Sequence, residues 1–247
     1  MLEALNLSKR FGGLAAVQDV SLSVPQGSIT ALIGPNGAGK TTLFHLLSGF
    51  LASDSGKVSL EGRDITRLSP HTICRLGMTR TFQIVQPFAP QTVRENIAVG
   101  AHLHHRGRRE AIAAAEDVAR RVGLHAQLDQ PASSLTIAGR KRLELARALA
   151  TRPRLILLDE VLAGLNPQEI NEVLPVVRAI RDGGVTVLMI EHVMQAVMNL
   201  CEHVWVLSNG RLIAQGTPRE IAAHPEVIEA YLGHGTAERL RKAAAHA

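Results

Sequence analysis

The chain has 247 residues, which is enough for one α/β domain or for a core with one inserted subdomain. Hydrophobic residues make up 46% and charged residues 20%, a balance that excludes a disordered or fibrous chain. The net charge of +5 allows an anionic partner, but aromatic residues make up only 3%. Since RNA and single-strand binders need aromatic rings for base stacking, we expect no nucleic acid partner.

The first predicted elements are two strands and a helix. Apolar and polar residues alternate over residues 17–24, which predicts a strand that ends at a turn at Gln26 and Gly27. Residues 29–33 form a short apolar run bounded by glycines, as is typical of a strand buried in the middle of a sheet. Residues 40–49 then predict a helix that ends at Gly49.

The middle of the chain has a different character. Residues 93–151 are rich in Ala, Arg and Leu and predict a helical insertion, interrupted at residues 131–134. Within it, residues 102–109 form a basic, His-rich run. A metal site or a patch for phosphate-bearing lipid is conceivable there, but a solvated loop is the favoured interpretation.

The last third again predicts strands and helices of an α/β core. Residues 155–158 and 185–190 are further buried strands, separated by a helix over residues 167–182. Buried strands that alternate with helices indicate a parallel sheet with right-handed crossovers. Residues 204–214 predict a β-hairpin, because the central Asn209-Gly210 pair suits a type I′ turn. Residues 236–247 predict a charged, frayed helical tail.

Two further features limit the classes of protein. Cys74 and Cys201 are too few and too isolated for a disulfide framework or a zinc site, so we interpret them as reduced packing residues. No stretch approaches about 18 uninterrupted apolar residues, the length needed to span a bilayer. We therefore expect any membrane association to come through a partner.

A phosphate-binding motif follows the first buried strand. The sequence fits G-x-x-x-x-G-K-[ST] and lies between a predicted strand and a predicted helix, the context that the motif requires. Its glycines allow backbone N–H groups to point at phosphate oxygens at a helix amino terminus. The lysine can reach the β- and γ-phosphates, and the hydroxyl that follows can bind Mg²⁺. The predicted phosphate contacts are Gly34, Pro35, Asn36, Gly37, Ala38, Gly39, Lys40, Thr41 and Thr42.

Acidic residues that complement this motif follow the strand over residues 155–158. Asp159 is predicted to hold Mg²⁺, together with Thr41, and Glu160 to polarise the attacking water. His192 follows the next strand, at the edge of an open α/β sheet where ligands collect, so it is the histidine that we assign to the γ-phosphate or the water.

Three further markers, in order along the chain, resemble those of ABC ATPases. Gln83 follows the strand-like residues 78–82, residues 163–166 follow Glu160, and His192 comes about one βα unit later; these resemble the Q-loop, D-loop and H-loop of that family. The resemblance covers about residues 2–233. It implies that ATP is bound with Mg²⁺, that Gln83 contributes to catalysis and to the metal site, that Phe11 stacks on adenine, and that Asn166 contacts nucleotide.

The resemblance also implies a fold and a subfamily. The expected fold is α/β, a P-loop NTPase core with a mainly parallel sheet, an antiparallel β subdomain and an inserted helical subdomain. The expected limits are 1–83 for the core with the β subdomain, 84–151 for the helical subdomain, 152–235 for the rest of the core and 236–247 for the tail. Residues 77–83, 142–149, 159–167 and 224–232 are similar to one of the two ATPase subunits of branched-chain amino acid importers.

One segment departs from the family pattern. The signature loop Leu-Ser-Gly-Gly-Gln is replaced by Leu135, Thr136, Ile137, Ala138 and Gly139. The hydroxyl of Thr136 and the N–H of Ala138 remain as donors for a partner's γ-phosphate, whereas the glutamine side chain is lost at Gly139. We expect a functional but weakened contact in which Leu135, Thr136, Ala138 and Gly139 bind nucleotide. An ordinary helix-capping turn is the alternative.

The resemblance further implies partners and a location. Two cassettes, identical or paralogous, would face head to tail, each with ATP on its own phosphate loop, and hydrolysis would reopen the pair. Transmembrane permease subunits would contact the segment after Gln83, residues 84–90, and a solute-binding protein would take part indirectly. The expected location is cytoplasmic, on the inner face of the cell membrane.

Two other functions share part of these features. A soluble ABC-type ATPase without a membrane partner would use every catalytic residue, although a single cassette of this length does not match the two-cassette or coiled-coil forms of that class. A small-molecule kinase could use the same phosphate loop, but it would leave the signature segment, Asn166 and His192 without roles.

Overall fold

The computed structural model describes residues 1–83 and 86–232. The predicted tail, residues 236–247, and residues 84 and 85 of the predicted permease contact lie outside this described part. Contacts divide the chain into two units, one formed by Met1–Arg67 with Met189–Ala247 and the other by Leu68–Leu188. The four segments predicted from the sequence have other limits and remain predictions.

The strands and helices alternate through most of the chain. The strands are β1 (Leu2–Phe11), β2 (Leu14–Val24), β3 (Ile29–Ile33), β4 (Ser55–Leu60), β5 (Arg63–Asp64), β6 (Met78–Arg80), β7 (Leu155–Asp159), β8 (Thr186–Ile190), β9 (His203–Ser208) and β10 (Arg211–Gly216). The helices are α1 (Lys40–Leu47), α2 (Pro70–Arg75), α3 (Val93–Ala101), α4 (Arg108–Arg121), α5 (Ile137–Ala150), α6 (Pro167–Asp182), α7 (Met194–Leu200), α8 (Pro218–Ala222) and α9 (Pro225–Leu232).

The first unit contains an antiparallel sheet with the strand order β2-β1-β4-β5. Leu2 pairs with Val24 on one side and with Leu60 on the other, so three apolar side chains lie in one row. Because the strands alternate buried and exposed residues over this stretch, one face packs inward and the other meets solvent. This is the antiparallel β subdomain that the family resemblance implies.

The same unit contains the strands that carry the phosphate loop. β3 is buried at every residue and runs parallel to β9, with Thr30 opposite His203. β9 and β10 form the predicted hairpin, and its Asn209 and Gly210 have φ values of 47° and 76°. Both positive values are those of a type I′ turn, so the Asn-Gly prediction is confirmed.

The second unit contains the predicted helical insertion and buried strands. Helices α3, α4 and α5 lie between β6 and β7, as the sequence predicts. β6 and β7 pair in parallel, with Met78 opposite Leu155. The strand order in this part of the sheet is β8-β7-β6. The boundary between the two units falls within β8. β6 ends at Arg80, two residues earlier than predicted, because the N–H of Phe82 binds the carboxylate of Glu144 and not another strand.

Helix limits follow local sequence signals. α6 spans the predicted residues 167–182, with Asn166 as its N-cap and Pro167 in the first turn. The basic run at residues 102–109 is a turn over residues 102–107, and its last two residues begin α4. In the turn, His104 bonds to the carbonyl of Thr151 and His105 to Arg152. Within residues 1–83 and 86–232, no helix has both the length and the apolar character that crossing a bilayer would require.

Candidate functional site

The phosphate loop has a backbone path that only glycine allows at two of its positions. Gly34 and Gly39 have φ values of 152° and 102°. A Cβ atom at Gly34 would strike the carbonyl oxygen of Leu207, and one at Gly39 would strike that of Ala16. Since both obstacles are backbone atoms, neither can move aside as a flexible side chain could, so the loop conformation requires glycine at both positions.

The same loop has an open side that fits phosphate. Gly37 has a φ of 79°, and a Cβ atom at this position would meet nothing within 4 Å beyond its chain neighbours, so this part of the backbone faces open space. Gly39 caps α1 without a side chain, and no acidic residue lies in the first turn. N–H groups and the positive end of the helix dipole are therefore directed at this side, as an anion site needs.

Lys40, the first residue of α1 after the loop, is buried. Its ammonium donates hydrogen bonds to the carbonyl oxygens of Gly34 (2.8 Å) and Pro35 (2.9 Å), which hold the side chain along the loop. Thr41 is exposed and Thr42 is half-buried, so a hydroxyl that can ligate a metal lies at the surface beside this cation. The predicted phosphate contacts thus lie together in one loop of the first unit, and their binding role remains a prediction.

In the second unit, Asp159 ends the buried strand β7. One carboxylate oxygen accepts a hydrogen bond from the Arg80 guanidinium at 2.6 Å, and both side chains are only 3% exposed. The N–H of Asp159 also donates to the hydroxyl of Thr81 at 3.2 Å. A buried carboxylate needs such partners, because an uncompensated charge is very costly away from water.

Glu160 follows Asp159 in an uncommon backbone conformation. Its φ is +49°, in the left-handed region that costs a residue other than glycine about 1–3 kcal/mol. Its carboxylate accepts a hydrogen bond from the side-chain amide of Gln83 at 2.6 Å. The structure therefore brings together two of the residues to which the sequence assigns catalysis.

Lys141 of α5 binds the backbone of both Gln83 and Glu160. Its ammonium donates to the carbonyl oxygens of Gln83 (3.2 Å) and Glu160 (3.1 Å). We call Arg80, Gln83, Lys141, Asp159 and Glu160 the carboxylate cluster. Burial raises the pKa of Glu144, one turn further along α5, although the hydrogen bond that it accepts from the N–H of Phe82 acts in the opposite direction.

The signature segment forms the start of α5. The Thr136 hydroxyl accepts a hydrogen bond from the N–H of Gly139 at 3.1 Å and so caps the helix. Leu135, Ala138 and Gly139 are buried, whereas Thr136 is exposed and Ile137 is 58% exposed. The surface of this turn therefore consists of one hydroxyl and one apolar side chain, and its binding role remains a prediction.

Three further predicted site residues are Phe11, His192 and Asn166. Phe11 is exposed at the end of β1, and the Lys9 ammonium lies 5.8 Å from the centre of its ring. His192 is exposed between β8 and α7. The Asn166 side chain accepts a bond from the N–H of Glu169 and caps α6, so a helix-capping role is visible for it in this structure.

The residues present fit the chemistry of magnesium. Thr41 and Asp159 offer hydroxyl and carboxylate oxygens, the ligands that this hard cation prefers. In the described part of the chain, no three His, Cys, Asp or Glu side chains are grouped to hold a metal ion. Mg²⁺ is commonly bound by one or two protein oxygens together with substrate phosphates.

Arg80, Lys141 and Glu144 also belong to this region, although the sequence did not predict them. Each is a charged residue that is buried, and each binds a predicted site residue or its neighbour. A signal was present for two of them, since Lys141 and Glu144 are three residues apart on a helix and so share the face that packs inward. Nothing in the local sequence marks Arg80.

Comparison with known families gives two matches. Residues 17–163 match the family model described as "ABC transporter", and residues 211–237 match one described as "Branched-chain amino acid ATP-binding cassette transporter". The chain is 41% identical over 249 residues to the high-affinity branched-chain amino acid transport ATP-binding protein BraF of Pseudomonas aeruginosa, covering 94% of this chain and 98% of that protein. It is 38% identical to the corresponding protein LivG of Escherichia coli, with the same coverage.

Solved structures give the same picture of the fold. A nucleotide-free ATP-binding cassette of an ABC transporter matches with a TM-score of 0.87 at 33% identity, covering 95% of this chain and 99% of that chain. An ADP conformation of an ABC transporter cassette matches with the same TM-score, identity and coverage. The predicted fold class, a P-loop NTPase core of the ABC type, is confirmed.

Proposed function

Because this chain belongs to the ABC transporter family of ATP-binding cassettes, we propose that it is the ATP-hydrolysing subunit of an importer for branched-chain amino acids or related small polar solutes. The named relatives, with which it aligns over 94% of its length, support the solute class. The backbone of the phosphate loop supports ATP as the ligand, because its glycine positions and buried lysine form an anion site at a helix amino terminus.

We assign the nucleotide contacts as follows. The backbone N–H groups of residues 34–42 bind the phosphates, except at Pro35, which has no N–H and contributes only to the shape of the loop. Lys40 turns from the loop carbonyls to the β- and γ-phosphates. Phe11 stacks on adenine. Thr41, Asp159 and Gln83 would hold Mg²⁺, which would neutralise the charge that develops on the phosphates.

Hydrolysis depends on residues of the carboxylate cluster and on His192. Glu160 accepts a proton from the attacking water, and the hydrogen bond from Gln83 keeps its carboxylate in one orientation. His192 contacts the γ-phosphate or the water. Since general-base catalysis contributes about 10²- to 10⁴-fold, loss of the Glu160 carboxylate should reduce turnover by that order.

Turnover also requires a second cassette. Leu135, Thr136, Ala138 and Gly139 of one cassette, with Asn166, contact the nucleotide held by the other, so that ATP stabilises the closed pair. The pair acts on transmembrane permease subunits at the cytoplasmic face of the membrane, and a solute-binding protein delivers the solute. Whether the second cassette is a copy of this chain or a paralogue is an outcome of the tests below.

The ATPase function is tested on the full-length chain. Wild type should bind Mg-ATP and release phosphate, Lys40→Met should lose binding, and Glu160→Gln should keep binding but lose at least about 100-fold in turnover. With ATP, Glu160→Gln should elute as a dimer in size-exclusion chromatography. A matched carboxylate control is Glu172→Gln on α6, whose side chain pairs with Arg142, and it should behave as wild type.

Two results would contradict the proposal. Wild type that fails to bind Mg-ATP would reject it outright. A Glu160→Gln protein that stays monomeric with ATP would indicate a paralogous second cassette if the uptake described next depends on this chain, and would favour a small-molecule kinase if it does not. The transported solute is tested separately by uptake of labelled leucine, isoleucine and valine into cells that lack this chain. Wild type should restore uptake and Glu160→Gln should not; uptake that never depended on this chain would favour an ABC-type ATPase without a membrane partner.

A further inference from the structure

Helix α5 carries two charged side chains on its buried face. Lys141 is 6% exposed and Glu144 is 8% exposed, and both lie among buried residues such as Leu145. Burial of a charge is unfavourable unless hydrogen bonds replace the lost water. The partners of these two side chains therefore indicate what the two charges do.

Both side chains bind the backbone at the start of the Q-loop. Glu144 accepts a hydrogen bond from the N–H of Phe82 at 2.6 Å, and Lys141 donates to the carbonyl of the next residue, Gln83, at 3.2 Å. α5 thus holds one N–H and one C=O of adjacent residues. Because two bonds of opposite polarity fix both the position and the direction of a peptide segment, Gln83 is held in a defined orientation.

Lys141 closes a ring of hydrogen bonds with the predicted catalytic residues. It also donates to the carbonyl of Glu160 at 3.1 Å, and the side chains of Gln83 and Glu160 are joined at 2.6 Å. The ring thus runs from Lys141 through the backbone and side chain of Gln83, across to the side chain of Glu160 and back through its carbonyl. Displacement of any member changes the geometry of the other two.

The ring includes a strained backbone position. Glu160 has its φ of +49° directly before the carbonyl that Lys141 binds. A left-handed conformation in a residue other than glycine persists only when its surroundings impose it. A buried ammonium that binds this carbonyl is such a constraint.

We propose that Lys141 is a positioning residue for hydrolysis, which fixes the carboxylate of Glu160 and the amide of Gln83 relative to helix α5. The inference rests on the proposed function, since it assumes that Glu160 activates water. Lys141 acts through the carbonyls of Gln83 and Glu160 that it binds. Its effect is therefore on turnover, with nucleotide binding unchanged.

The experiment compares Lys141→Met with Arg147→Met in the full-length chain. Arg147 lies on the same helix, carries the same charge and donates to the carbonyl of Gln86 at 3.0 Å, but it lies outside the ring. Lys141→Met should lower kcat by about ten- to a hundredfold, because a small misplacement of a reacting group has effects of that size, with the KM for ATP unchanged. Arg147→Met should leave both values within about twofold of wild type.

Two further variants separate positioning from general stability. Lys141→Arg keeps a cation that can donate to two carbonyls, and it should recover most of the lost turnover. In a double-mutant cycle, Lys141→Met should lower kcat much less when Gln83→Ala has already broken the ring. If Lys141→Met does not fold, Lys141→Gln takes its place in each comparison, with the melting temperature recorded for every variant.

The inference is overturned if Lys141→Met turns over at the wild-type rate, if its loss equals that of Arg147→Met, or if its effect multiplies fully with that of Gln83→Ala. A loss that Lys141→Arg does not recover also overturns it. Failure of the proposed function is a different result, because Glu160→Gln would then hydrolyse ATP as fast as wild type. A slow Glu160→Gln variant with a fast Lys141→Met variant rejects only the role of Lys141.

Discussion

The phosphate loop and the carboxylate cluster are held in shape by different parts of the chain. In the phosphate loop, backbone carbonyls of Ala16 and Leu207 crowd Gly39 and Gly34, and even Lys40 bonds to carbonyls of its own loop. In the carboxylate cluster, buried charged side chains hold the other residues in position. Arg80 holds Asp159, and Lys141 holds the backbone of Glu160.

Because they are held in different ways, the phosphate loop and the carboxylate cluster should respond differently to substitution. A backbone-held loop tolerates no added atom at the crowded positions, whereas its side chains remain available for ligand. A cluster held by charges depends on each partner of each pair, because the remaining partner stays buried when the other is removed. Substitutions can therefore show whether the contrast is real, and the largest effect is expected at the buried ion pair.

Arg80→Met should give the largest loss of stability. It leaves the Asp159 carboxylate 3% exposed without its cation, and such changes cost about 3–5 kcal/mol in the free energy of unfolding. Urea unfolding of the full-length chain measures the loss. The double variant Arg80→Met/Asp159→Leu should recover most of it, because a well-packed apolar pair can replace a buried ion pair. A loss that the second substitution does not recover would mean that Arg80 acts through packing and not through charge.

Gly39→Ala should have the next largest effect, and Gly37→Ala is its matched control. Both glycines have positive φ, which costs alanine about 1–3 kcal/mol. Only at Gly39 would the new methyl group strike a backbone oxygen, whereas at Gly37 it would enter open space. Gly39→Ala should therefore unfold at lower urea and lose ATP binding, and Gly37→Ala should show only the smaller conformational penalty. Equal losses in the two variants would contradict a backbone-held loop.

This contrast also determines what the sequence could predict. The phosphate loop, the Asn209-Gly210 hairpin and α6 depend on residues that are contiguous in the chain, because glycine, asparagine and proline act on their own backbone. Their positions followed from the sequence, although the hairpin strands extend to residues 203 and 216, slightly beyond the predicted 204–214. The family comparison then confirmed the fold class that these elements indicate.

The pairs inside the carboxylate cluster were not predictable in this way. Arg80 and Asp159 are 79 residues apart, and Lys141 is 58 residues from Gln83. Only packing of strands and helices brings these residues together, and a single charged residue carries no local sign of a distant partner. Asn166 and Thr136 show a related limit, since the same side chain that caps a helix is also suited to bind a ligand.

Thr136→Ala tests a third way of holding a loop, the helix cap of the signature turn. Loss of the bond from the Gly139 N–H should cost about 1 kcal/mol of stability, less than either change above. If the hydroxyl also reaches a partner's phosphate, ATP hydrolysis should fall as well, and Thr136→Ser should preserve both properties.

Gly139→Gln restores the glutamine of the family's signature loop and should raise the rate of ATP hydrolysis, although its Cβ would lie 3.2 Å from that of Leu135. If neither Thr136→Ala nor Gly139→Gln changes the rate of hydrolysis, the turn serves only as a helix cap.

Asp54→Asn should have the smallest effect, because this ion pair belongs to the first unit and is exposed. Asp54 binds the Lys9 ammonium and the N–H of Arg10, both at 2.7 Å, and these bonds, with that from Lys9 first, hold the pKa of Asp54 below its ordinary value of 3.8.

A lowered carboxyl pKa stabilises the fold at pH values above 3.8, and this contribution is lost as the pH falls through the folded-state pKa. The difference in unfolding free energy between wild type and Asp54→Asn should therefore be constant near neutrality, shrink below pH 3.8, and weaken in high salt because exposed charges are screened. Denaturant titrations over this pH range measure it. A difference as large as that of Arg80→Met would show that charge pairs matter in the first unit as much as in the carboxylate cluster, and the contrast between backbone-held and charge-held regions would then not hold.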